Sequence, residues 1–239
     1  MIETENLTKS FGAVRALGGI DFTAADGAIT TLLGANGSGK TTTLGIVMGL
    51  LKPDAGTARV DGREVREDAK AARRRIGWFP DAFGLYPRLT AREHVRYFGQ
   101  LHGMAGAALE RAIDAVFEEL DMGAIEGRRT EGFSTGQRMK VALARAMVHS
   151  PRNLILDEPT RGLDILSVRL LRETLRRRRS EGCCILMSSH VMAEVEDLSD
   201  KVVVIASGKV AGEGSPRELV AATGAPNLEE AFVALAVQS

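Results

Sequence analysis

One segment limits the folds open to this chain more than any other. GANGSGKT, Gly34 to Thr41, fits the pattern G-x-x-x-x-G-K-[ST]. It follows AITTLLG, an apolar run rich in β-branched residues, and it opens the helix-like TTTLGIVMGLL. A strand, a glycine-rich turn and a helix N-terminus in that order place backbone N–H groups and the positive helix end around a phosphate chain. Glycine suits the turn because the backbone must come close to the phosphates with no Cβ in the way. Lys40 is then set to reach terminal phosphates, and the Thr41 hydroxyl to ligate Mg2+.

The order recurs along the chain. The first segment, IETENLTKSFG and AVRALGGIDFTAADG, reads as short strands with turn residues between them. Further on, NLILD reads as a strand, Ile165 to Arg179 as a helix, CCILMSS as a strand, VMAEVEDL as a short helix and VVVIASG as a closing strand. Strands alternating with helices imply a largely parallel sheet covered on both faces. Between Leu89 and Val148 the pattern is almost continuously helix-like, with Leu109, Ile113, Val116, Phe117 and Leu120 at core-facing spacing. A helical subdomain inserted into an α/β core accounts for this, and NLEEAFVALA, Asn227 to Ala236, reads as a last amphipathic helix.

Two more segments carry polar groups where chemistry needs them. LILDEP ends a strand on two carboxylates, which places Asp157 near a metal and Glu158 where it can polarise a water as general base. A bare strand end explains such a pair equally well in isolation; the phosphate loop upstream decides for the nucleotide. In FSTGQRMKVALARAMV, Ser134, Thr135 and Gly136 precede a long helix, and taken alone a plain N-cap explains Ser134.

Composition removes several function classes. The 239 residues carry 31 Lys+Arg and 31 Asp+Glu, so no excess of cations favours nucleic acid. No stretch approaches the roughly 18 apolar residues of a membrane span, and MIETENLTKS lacks the apolar centre of a signal peptide. Cys183 and Cys184 are adjacent in an apolar run, so buried reduced thiols are expected rather than a disulfide or a metal site. The runs Arg73–Arg75 and Arg176–Arg179 read as solvated helix faces or helix C-termini rather than anion sites.

Taken together, these segments resemble the ATP-binding-cassette (ABC) ATPases over about Ile2 to Val220. GANGSGKT is similar to the Walker A motif of that family, FSTGQ to its signature, LILDEP to Walker B, RGLD to the D-loop, and SSHVMAEVE to the switch-histidine segment. Phe11 in KSFG matches the aromatic residue that stacks on adenine. The resemblance implies a P-loop NTPase (RecA-like) α/β core with an N-terminal antiparallel β subdomain and an inserted α-helical subdomain. Residues 1–222 would be the ATP-binding domain, with 83–150 the helical insert and 223–239 a helical tail. It further implies ATP and Mg2+ as cofactors. Gly34, Ala35, Asn36, Gly37, Ser38, Gly39, Lys40, Thr41 and Thr42 would cradle the triphosphate. Thr41, Asp157 and Asp81 would serve the metal, and Glu158 and His190 would act with Lys40 in hydrolysis. Ser134, Gly136 and Gln137 would act on nucleotide held by a second ATPase subunit, in a head-to-tail homodimer or a heterodimer. A separate transmembrane permease is the other implied partner, which puts the chain in the cytoplasm on the inner face of the membrane. Phe83, Leu85 and Tyr86, in the exposed-looking Phe79–Thr90 segment, would face that permease. GLYPRLTARE and LEEAF resemble ATPase subunits of drug and sodium exporters.

Two positions depart from the family pattern. Asp81 stands where the family has glutamine, adding a negative charge near Asp157 and Glu158. Thr135 stands where the signature has glycine, and its Cβ restricts backbone approach. A soluble ABC ATPase of DNA repair or translation is the alternative. The single cassette, the absence of sustained heptads between Lys40 and Ser134 and the balanced charge weigh against it. A regulator that switches without turnover is disfavoured by Glu158 and His190.

Overall fold

The computed structural model describes residues 1–237. In chain order, β1 (Ile2–Phe11) and β2 (Val14–Ala24) form a hairpin, and β3 (Ile29–Leu33) leads through the glycine-rich loop into α1 (Lys40–Val47). Next come β4 (Ala55–Val60), β5 (Arg63–Glu64), α2 (Ala69–Arg73) and β6 (Ile76–Phe79). Three helices follow: α3 (Ala91–Leu101), α4 (Gly106–Glu119) and α5 (Thr135–Met147). The chain then alternates through β7 (Asn153–Asp157), α6 (Ile165–Ser180), β8 (Cys184–Ser189), α7 (Met192–Leu198) and β9 (Lys201–Ala206). It finishes with β10 (Lys209–Gly214), α8 (Pro216–Thr223) and α9 (Leu228–Val237).

These strands make two sheets. One is antiparallel, in the order β2-β1-β4-β5; the other has the order β10-β9-β3-β8-β7-β6, parallel except for the β10–β9 pair. Every residue of β3, β7 and β8 is buried. Burial on both faces is why these strands read as unbroken apolar runs without alternation. The pairing of β1 with β4, which sets Ile2 opposite Val60, completes the antiparallel sheet through a contact far apart in sequence. β4 carries little strand signal of its own, because AGTARV is short and weakly apolar.

The helical insert is less continuous than its sequence pattern. Its core positions are as read: Leu109, Ile113, Val116, Phe117 and Leu120 are all buried. Between α4 and α5, however, the chain leaves helical geometry, with Asp121 at φ 48° and a bridge pairing Thr90 with Arg129. Thr90 and Ser134 each begin a helix with a capping box. Phe83 and Leu85 are also less open than expected: both are half-buried against the core of the insert, whereas Tyr86 is exposed. Their apolar side chains pack within the chain itself.

The arginine run at the end of α6 joins neighbouring elements. Arg177 and Arg178 pair with the shielded Glu119 of α4, Arg176 with Asp197 in the last turn of α7, and Arg179 with Asp200. The helix dipole favours cations at this end, and each of these arginines has a carboxylate partner. Cys183 and Cys184 are buried free thiols, pushed up to about 11 and about 12 by burial. In the tail, Leu228 is buried with Leu33, Val195 and Val202, and Ala231 is buried as well. Among the described residues, no helix is long and apolar enough to cross a membrane.

Sheet and insert meet where β6 passes α5. A Cβ on Gly77 would lie 2.2 Å from the Ala146 carbonyl oxygen and 2.6 Å from Leu154 Cδ2. Gly77→Ala is therefore expected to cost about 1–3 kcal/mol by overpacking. Urea denaturation should show a lower midpoint with an unchanged slope.

Candidate nucleotide site

The phosphate loop is built around two close approaches. Gly34 leaves β3 where a Cβ would stand 2.4 Å from Ser38 Oγ and 2.5 Å from the Ile205 carbonyl oxygen. Gly39 caps α1 at φ 114°, a backbone region that side chains rarely enter, and its Cβ would meet Leu17 at 2.6 Å. The loop is thus pinned between β2 and β9. Lys40 is buried and folds back over it, donating to the carbonyls of Gly34 (2.7 Å) and Ala35 (3.2 Å). Ser38 Oγ is buried without a hydrogen-bond partner. The first N–H groups of a helix have no acceptor within it, so the start of α1 presents donors in this direction.

Two strand ends, those of β7 and β8, supply the facing wall. Thr41 Oγ1 donates to the buried Asp157 carboxylate at 3.2 Å. Ser188 Oγ, at the end of β8, donates to Asp157 Oδ1 at 2.6 Å and accepts from the Glu158 N–H at 2.9 Å. That N–H needs a side-chain acceptor because Glu158 sits at φ 46°, turning the chain out of the sheet. Its carboxylate then points away from that of Asp157, one oxygen 2.8 Å from His190 Nδ1 and the other 3.5 Å from Lys40 Nζ. Adjacent carboxylates therefore have separate partners: Asp157 has two hydroxyls, and Glu158 an imidazole and an ammonium.

A cleft of about 200 Å³ connects these groups, lined by Asn36, Gly37, Gly39, Lys40, Thr41, Thr42, Asp157 and Glu158, with Asp81 and Arg161 across from them. The third carboxylate is already engaged: Asp81 accepts from Arg161 Nη1 at 2.9 Å. Phe11 does not line the cleft. It stands half-exposed at the end of β1 with Lys9 Nζ 5.6 Å from its ring centre. Nor do Ser134, Gly136 and Gln137. Ser134 and Gln137 form a capping box with each other's backbone. Gly136 packs so near Ser167 that a Cβ would lie 2.3 Å from its hydroxyl. Thr135 opens α5 on an exposed surface.

Three contributors escaped the sequence reading. Ser188 belongs to the site only because β7 and β8 pair in a register that sets it opposite Asp157. Arg161 was visible as part of RGLD, but its pairing with Asp81 needed β6 and β7 as neighbours. Glu194, buried on α7, accepts a short hydrogen bond from Thr160; burial raises its pKa and that bond opposes the rise. This contact ties the turn after Glu158 to the helix after His190.

Residues 17–161 match the family model described as ABC transporter. The chain is 38% identical over 226 residues to the ABC transporter ATP-binding protein NatA of Bacillus subtilis, covering 94% of this chain and 92% of that one. It is also 38% identical over 220 residues to the Nod factor export ATP-binding protein I of Paraburkholderia xenovorans, covering 92% and 72%. A solved ATP binding subunit of an ABC transporter superposes with a TM-score of 0.90 at 29% identity, over 98% of this chain and 99% of that one.

Ser188→Ala would remove the 2.6 Å bond to Asp157 and leave the Glu158 N–H without its acceptor. The expected loss is about 1–3 kcal/mol. Chemical denaturation of the purified variant would measure it.

Proposed function

The chain belongs to the ABC transporter family and is an ATP-binding, ATP-hydrolysing subunit; from that premise we propose that it powers export through a separate membrane permease. The observation that carries the catalytic part is the divided environment of Asp157 and Glu158. Asp157, held by Thr41 and Ser188, offers hard oxygen to a cation, and Thr41 offers a second such donor. Ser38 Oγ, buried and without a partner beside Gly34, suits a phosphate oxygen. These donors fit a Mg2+–triphosphate, in which the metal neutralises charge on the phosphate oxygens.

Around such a ligand each residue has a distinct task. Gly34 to Thr42 bind the phosphates through backbone N–H groups, and Lys40 adds a positive charge at their terminus. Glu158 is the general base for the attacking water, and His190 holds the Glu158 carboxylate in place through its Nδ1. Phe11, exposed at the end of β1, offers a face for the adenine ring. Residues 1–222, with the insert at 83–150, form the nucleotide-binding unit, and the tail from 223 braces it against β9.

The signature segment acts on a second subunit. Ser134, Gly136 and Gln137 do not line their own chain's cleft, and α5 presents its N-terminus on an exposed surface. A head-to-tail homodimer brings each segment to the other copy's nucleotide. Export is the direction named for one relative, the Nod factor export protein. The chain then works at the inner face of the membrane, where its permease holds it.

Glu158→Gln keeps shape and removes the base; ATP binding should persist while kcat falls by about 10²- to 10⁴-fold. Steady-state hydrolysis alongside equilibrium nucleotide binding would measure both, and unaltered turnover would remove Glu158 from this role. Ser134→Arg should abolish turnover yet leave the monomer's ATP affinity intact. Parallel loss of both would contradict a site shared between subunits.

A further inference from the structure

Three carboxylates border the cleft, and each is answered differently. Asp157 has hydroxyl partners, Glu158 has Lys40 and His190, and Asp81 has Arg161 at 2.9 Å. Arg161 is fixed at its backbone, since its N–H donates to the Glu158 carbonyl at 3.1 Å in the turn leaving β7. Its side chain is not fixed: 67% of it is exposed, against 39% for Asp81. An ion pair this open contributes little to folding, so stability does not explain it. Its effect falls on the cleft, because Asp81 and Arg161 line the same space as Thr41 and Asp157.

We propose that Arg161 is a positioning residue that neutralises Asp81 and thereby sets how strongly the cleft attracts Mg2+. An aspartate alone would add a full negative charge beside a divalent cation; an arginine alone would add a repelling positive one. The pair presents a near-neutral, polar wall instead. This rests on the nucleotide-site reading above. It extends that reading by giving a task to a residue outside the phosphate loop and the Asp157–Glu158 pair.

Two single variants and their combination test it. The readout is binding of a fluorescent, non-hydrolysable ATP analogue as Mg2+ is titrated, with hydrolysis not involved. Arg161→Gln should lower the half-saturating Mg2+ concentration by about three- to tenfold, the effect of one unmatched charge near a divalent ion in a partly screened site. Asp81→Asn should raise it by a similar factor. The double variant should return to within about twofold of the parent, because both opposite charges are then removed and the wall is again near-neutral. Arg161→Lys, which keeps the charge, should behave as the parent, and all shifts should shrink as salt is raised. An Asp81→Asn midpoint at or below the parent's, or an Arg161→Gln midpoint equal to the parent's, would overturn the proposal while leaving the nucleotide site intact. Absence of Mg2+-dependent analogue binding by the parent chain would overturn the nucleotide site itself.

Discussion

Parallel pairing of β7, β8 and β3 is the constraint on which the rest depends. It sets Asp157 opposite Ser188 and Leu33 opposite Ser189, so three strands end at one level. The phosphate loop, the two carboxylates and His190 all leave the sheet from that edge. Ligands of open α/β sheets gather at the carboxyl ends of strands for this reason. A slip of one residue in β8 would turn Ser188 to the opposite face. Asp157 would lose its closest hydrogen bond, and the Glu158 N–H its acceptor.

Rigidity at that edge comes from small contacts that use backbone approach more than side-chain bulk. Gly34 and Gly39 allow the loop to press against β9 and β2, and Lys40 secures it from inside. Glu158 accepts an unfavourable left-handed backbone conformation, which separates its carboxylate from that of Asp157. Without this turn the two negative charges would share one environment. With it, one faces hydroxyls and the other faces Lys40 and His190.

The helical insert is fastened to this framework on two sides. Gly77 lets α5 lie directly on β6, while Glu119 receives Arg177 and Arg178 from the end of α6. The segment that follows β6 carries both Asp81 at the cleft and Phe83 and Leu85 against the insert. One short stretch of chain therefore touches both the cleft and the insert.

Much was legible in the linear order of residues. GANGSGKT announced its strand–loop–helix setting because glycine, lysine and hydroxyl positions are local requirements of a phosphate loop. The buried parallel strands announced themselves by unbroken apolar runs, and α4 by its spacing. Segments whose identity depends on distant partners were not legible. β4 is a strand because β1 lies beside it, and Ser188 joins the site only through the register of β7 with β8. Asp81 illustrates both halves. Its sequence position marked it as an added charge near two others, but the cation that answers it, Arg161, became apparent only once β6 and β7 stood side by side. Local chemistry is written in neighbouring residues, whereas charge compensation and register depend on distances between residues far apart in the chain. Folding alone sets those distances.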